Sequence, residues 1–156
     1  MKGYAFLKAT LFTVGLFYCG VIFASSGKST PPKLNHALEC LNVSILNSGI
    51  FHYGLKDAEN LQPHYWSIVV AVLGVEYKIP ENEVTELSRA SLKKGQKRFD
   101  GIMLQKRSGE SMQNTYNQIT SEYINCIDFA TSKKGVHKEM ATAIKLYNIE
   151  QLNKDR

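Results

Sequence analysis

The chain has 156 residues, 44 % of them hydrophobic, and 19 Lys and Arg stand against 14 Asp and Glu for a net charge of +5. That length supports one domain with a core of its own. The positive charge is too thinly spread for a nucleic-acid binder, which concentrates far more of it on one face.

The N-terminus decides the compartment. Lys2 and Lys8 precede an apolar run from Ala9 to Phe23, broken by Thr10, Thr13, Gly15 and Gly20, and Ala24, Ser25 and Ser26 follow. A positive start, an apolar stretch of about 15 residues and a small-residue exit predict a secretory signal peptide over residues 1–26. Cleavage is expected after Ser26, with Ala24 at the −3 position, or after Ala24. The run is shorter than the roughly 20 residues of a spanning helix. Left uncleaved, it would serve as an anchor with Lys8 at the membrane edge. Bulky Leu16, Phe17 and Tyr18 before Cys19 argue against a lipid attachment site. Loss of Lys2 and Lys8 lowers the basic count from 19 to 17, so the exported chain carries +3. Such a mild excess suits solubility with a bias toward acidic partners.

Of the three cysteines, Cys19 leaves with the leader and Cys40 and Cys126 remain. Two cysteines in one exported domain are expected to pair. The bridge would close a loop of 86 residues between positions 40 and 126.

Residues 27–33 (Gly-Lys-Ser-Thr-Pro-Pro-Lys) have no apolar periodicity and two prolines, and are predicted to form a flexible tether to a helical domain over 34–156. From Leu34, apolar residues recur at three and four through Leu38, Leu41 and Ile45, predicting a first helix that Gly54 would stop. Gly49 should weaken that helix. A second helix is expected from Asn60 as N-cap with Pro63 in its first turn. Its stretch from Trp66 to Val75 is almost wholly apolar and valine-rich, so residues 64–75 have strand propensity too. Helical spacing of Tyr65, Ile68, Val69, Val72 and Leu73 favours a buried central helix, ended by Lys78-Ile79-Pro80.

A third helix is predicted from Pro80 or Glu81 to Arg107-Ser108-Gly109. Acidic Glu81, Glu83 and Glu86 begin it and cations crowd its later turns, which complements the helix dipole. Gly95 and Gly101 should weaken it. Ser111 is the expected cap of a fourth helix, whose stripe of Met112, Tyr116, Ile119, Tyr123, Cys126, Ile127 and Ala130 places Cys126 on a buried face. After Lys133-Lys134-Gly135, a shorter fifth helix from Val136 precedes a polar tail. The expected fold is all-α: four main helices plus a short C-terminal helix, with one helix-to-helix disulfide.

Motifs for chemistry are sparse. His36, His52, His64 and His137 include no pair at metal-binding spacing, so no metal and no cofactor are expected. His36 and Cys40 share a helix face, but a disulfide at Cys40 would remove any thiolate role. Ser91-Leu92-Lys93-Lys94 matches the Ser-x-x-Lys spacing of penicillin-recognising enzymes without their companion motifs, and reads as coincidence. The acidic residues offer no pair selected for glycoside hydrolysis. Asn42-Val43-Ser44 is a glycosylation sequon set unfavourably within a helix.

Two surfaces stand out. Seven cations (Arg89, Lys93, Lys94, Lys97, Arg98, Lys106, Arg107) against the single acid Asp100 make a basic third helix, either a solvated face or a docking surface for an acidic partner or an anionic envelope polymer. Phe51 and Tyr53, with Tyr65 and Trp66 across the first interhelical loop, form the alternative surface; such aromatics are interface anchors or the cap of a core.

In size, leader and helix-to-helix disulfide the chain resembles the small periplasmic immunity and inhibitor proteins that neutralise cell-wall-degrading toxins, a resemblance carried by no motif. It implies a non-enzymatic, exported binding protein, periplasmic or extracellular, with a protein partner and without nucleic acid. A structural or stress-protective envelope protein is the alternative, and a small secreted enzyme with a dispersed site the second.

Overall fold

The computed structural model describes residues 29–50 and 63–154. The expected leader, Phe51, His52, Tyr53, Gly54 and Asn60 lie outside the described residues. Five helices follow in order: α1 (Pro32–Ile50), α2 (Pro63–Glu76), α3 (Glu81–Ser108), α4 (Gln113–Thr131) and α5 (His137–Lys154). No strand occurs among the described residues, and the valine-rich stretch that left helix and strand open is α2.

Helix α1 begins at Pro32, two residues before the expected start, so Lys33 belongs to the domain. Pro32 fits the first helical position because its missing N–H would be unpaired there anyway. The Pro31 carbonyl accepts the Asn35 N–H at 2.9 Å. The prolines that suggest a tether therefore open a helix. Helix α2 ends in a paired turn: the Lys78 N–H reaches the Val75 carbonyl at 3.1 Å and the Ile79 N–H the Gly74 carbonyl at 2.9 Å. Lys78 takes the left-handed conformation that such a turn demands, with φ of 55°. Gly109 ends α3 in the same conformation at φ 77°, as its place after the last cations predicts.

Helix α4 is capped one residue later than expected. Met112, not Ser111, occupies the N-cap position and makes no side-chain cap bond. Its backbone carbonyl accepts the Tyr116 N–H at 2.9 Å. Helix α5 runs 18 residues, continuing through the segment that reads as a polar tail.

Helix α1 packs against α2, α3 and α4. Leu34, Ala37, Leu41 and Val43 of α1 meet Trp66, Val69, Val70 and Leu73 of α2 in the main core. Tyr123 and Ala130 from α4 and Met140 and Ala143 from α5 complete it. A smaller cluster of Leu46, Ile102 and Ile119 joins the far ends of α1, α3 and α4. Burial of this apolar area is the main stabilising term.

The expected disulfide is present. Cys40 of α1 and Cys126 of α4 are bonded with Cα atoms 5.5 Å apart, across 86 residues of chain. Helices α1 and α3 cross closely because small residues face each other. Buried Ser91 donates its hydroxyl to the Leu38 carbonyl oxygen. One turn on, a Cβ at Gly95 would lie 2.6 Å from the Asn42 carbonyl oxygen and 3.1 Å from Ile45.

Candidate functional site

The crossing of α1 and α3 divides the surface of α3 into three strips. Residues Arg89, Lys93 and Lys97 recur every four positions opposite the buried Val84, Ser91, Gly95 and Ile102, so they point to solvent. Leu104, 69 % exposed, and Arg107 continue that strip toward the C-terminus of the helix. Arg89 pairs with Glu86 at 2.6 Å on the open surface, a contact of little energetic weight. Lys106 is also exposed at the helix end.

Lys94 and Arg98 turn away from this strip. They line a polar cleft of about 300 Å³ formed with α1 and α4. Arg98 is tied down: its Nη2 donates to Glu122 Oε2 at 2.7 Å and its Nη1 to Asn42 Oδ1 at 3.3 Å. Gln118 Nε2 donates to the other carboxylate oxygen of Glu122 at 3.0 Å. Arg98 therefore braces α1, α3 and α4 and is not a free cation of a docking face. The seven-cation cluster is split between the outer strip and this cleft.

Other groups around the cleft come from α1 and α4. His36 stacks on Phe129 with centroids 4.0 Å apart. Its turn-neighbour Cys40 is in the disulfide, which removes the thiolate alternative, and Cys126 of the same bond lines the cleft. Glu39 of α1 and Asn125 of α4 also line the cleft and are exposed. Ser91, the serine of the Ser-x-x-Lys match, is buried against α1 with its hydroxyl bonded to the Leu38 carbonyl.

The opposite flank of α3 carries an apolar groove of about 600 Å³ against α2. Val75, Ile79, Val84 and Leu92 line it, and Arg89 stands at its edge. Val75 is 80 % exposed and extends the apolar lining of the groove to the surface.

The aromatic alternative surface is corrected by burial. Trp66 is 0 % exposed and stacks parallel to Phe129 at 6.3 Å, so it belongs to the core. Tyr65 is half-buried and packs edge-on to Tyr147 at 5.4 Å. Phe51 and Tyr53 lie outside the described residues. Beside Tyr65, His64 stacks on Tyr147 at 3.9 Å, and its Nε2 is buried with no hydrogen-bond partner among the described residues. Burial holds the His64 imidazole below its ordinary range. Burial likewise pushes the Tyr123 phenol up to about 12. Lys33 donates to Glu139 at 2.6 Å, joining the start of α1 to α5. Desolvation raises the Glu139 pKa, but the Lys33 hydrogen bond and charge outweigh it and leave the carboxyl below its ordinary range.

Among the described residues no three His, Cys, Asp or Glu side chains gather as metal ligands. None of the described helices is long and apolar enough to cross a membrane. No protein-family model matches the chain, and neither curated proteins nor solved structures yield a match.

Proposed function

We propose that the protein is exported and acts by binding a protein partner through the outer face of α3 and the adjoining α2–α3 groove. The observation that carries this reading is the continuity of charge and apolar surface at Arg89. Exposed Val75 and the groove lie on one side of Arg89, and Lys93 and Lys97 continue from it along the helix. A partner segment with apolar residues on one edge and carboxylates on the other matches both. An oxidised Cys40–Cys126 bridge suits an exported protein. An inhibitor or immunity role against an envelope-acting enzyme fits a small, disulfide-braced domain that presents a rigid helix face.

The strip and the groove predict different kinetics. Charges at a rim set the rate of encounter, whereas buried apolar contacts set the rate of departure. Pull-down from the periplasm or culture medium, followed by surface plasmon resonance with the recovered partner, tests both. Reversing Arg89, Lys93, Lys97 and Arg107 to Glu should slow association, most at low salt. Val75→Asp should speed dissociation. Unchanged rates in both variants, with native circular dichroism, would reject this face as the interface.

A further inference from the structure

The cleft between α1, α3 and α4 holds charges of both signs in an arrangement that the partner surface does not use. Four charged residues line it: Glu39, Lys94, Arg98 and Glu122. Two of them cancel, because Arg98 and Glu122 are bonded at 2.7 Å and are only 30 % and 29 % exposed. The other two do not. Glu39 and Lys94 face the same cleft from α1 and α3, and neither has an ion-pair partner among the described residues.

A cation from α3 and an anion from α1 on one cleft, with the Arg98–Glu122 pair neutralised beside them, form a complementary receptor for a molecule with both charges. Lys94 supplies three N–H donors for a carboxylate, and Glu39 supplies only acceptors for an ammonium. Asn42 and Asn125 place amide groups on the same cleft for a peptide unit between those ends. Asn42 is 3 % exposed and locked by Arg98, so this part of the site is preorganised. The volume of about 300 Å³ sits at the lower end of small-molecule sites. We infer that the cleft is a binding site for a small zwitterion, an α-amino acid or a short peptide with free amino and carboxyl ends.

The probe is the dipeptide alanyl-alanine, followed by amide shifts in ¹H–¹⁵N NMR of the intact oxidised domain. Perturbations should centre on Glu39, Asn42, Lys94 and Asn125. N-acetylation of the dipeptide, or amidation of its carboxyl end, should each weaken binding about tenfold or more. Lys94→Gln should weaken the free dipeptide while leaving the C-amidated form unaffected, and Lys94→Arg should retain binding. Glu39→Gln should show the mirror behaviour with the N-acetylated form. Both positions are exposed, so these variants keep the fold. Absence of shifts at millimolar dipeptide, shifts centred elsewhere, or equal affinity for free and capped forms would overturn the assignment. Variants in the α2–α3 groove should leave dipeptide binding intact, so failure here and failure of the partner surface are separately visible.

Discussion

The Ser91 hydroxyl of α3 is bonded to the backbone carbonyl of Leu38 on α1, and Gly95 one turn later rests against the α1 backbone at Asn42. This seam sets the height of α3 over α1. It also decides which side chains of α3 reach the polar cleft and which reach solvent.

Two glycines of α3 should respond with opposite signs to the same substitution. At Gly95 a Cβ would sit 2.6 Å from a backbone oxygen that cannot swing away. Gly95→Ala should therefore destabilise by about 1–3 kcal/mol through overpacking, despite a propensity gain of about 1 kcal/mol. Gly101 has nothing within 4 Å of the same point. Gly101→Ala should stabilise by up to about 1 kcal/mol. Urea unfolding of the pair checks both signs, and a gain at Gly95 would mean that the helices do not meet there.

Lys78 holds φ at 55°, where a side chain other than glycine's is strained. Lys78→Gly should raise stability by about 1 kcal/mol, less the entropy that glycine adds to the unfolded chain. Urea midpoints measure it, and a loss of stability would show that the α2 turn is not left-handed.

Acidification should weaken the fold in two stages. Burial holds the folded pKa of His64 below the ordinary imidazole value of 6.5, so the unfolded chain takes up its proton first and stability falls as pH drops below about 6.5. Glu139 is also depressed, from 4.5, so its contribution is full above that value and is lost as pH falls through the lower folded pKa. His64→Phe keeps the stack on Tyr147 and should flatten the dependence between about pH 7 and pH 5, leaving the steeper acid limb. An identical slope in wild type and His64→Phe would place the titrating group elsewhere.

Removing the Cys40–Cys126 bond releases a loop of 86 residues in the unfolded chain. Loop entropy for that length corresponds to about 4–5 kcal/mol, with observed losses usually about 2–5 kcal/mol. Denaturant titration with and without reductant should show a lower midpoint on reduction and a loss of unfolding free energy of that order. Equal midpoints would mean that the bond adds nothing to the fold.

Elements with local causes were legible in the sequence. The end of α3 at Gly109 follows from cations and then a glycine, and the start of α2 from Pro63. The disulfide followed from compartment and number, and the stripe on α4 placed Cys126 inward. The cleft was not legible, because Glu39, Lys94 and Glu122 come from three helices and no spacing along the chain relates them. Arg98 looked like one more surface cation, since its partner Glu122 lies 24 positions away. Gly95 looked like a weak point in a helix, because propensity counts a missing side chain as loss and cannot see the helix crossing that requires it.

For an exported chain, as proposed above, the bond from α1 to α4 has a consequence for assembly. Its first thiol emerges well before its second, with all of α2 and α3 between them. Cys40 must stay reduced, or be held in a mixed disulfide by an oxidase, until Cys126 arrives. Were the proposed leader cleaved together with Cys19, a monomer would have one possible pairing and no scrambled isomer to repair. The competing product is a covalent dimer, so oxidative yield should depend on how crowded newly translocated chains are and little on a disulfide isomerase.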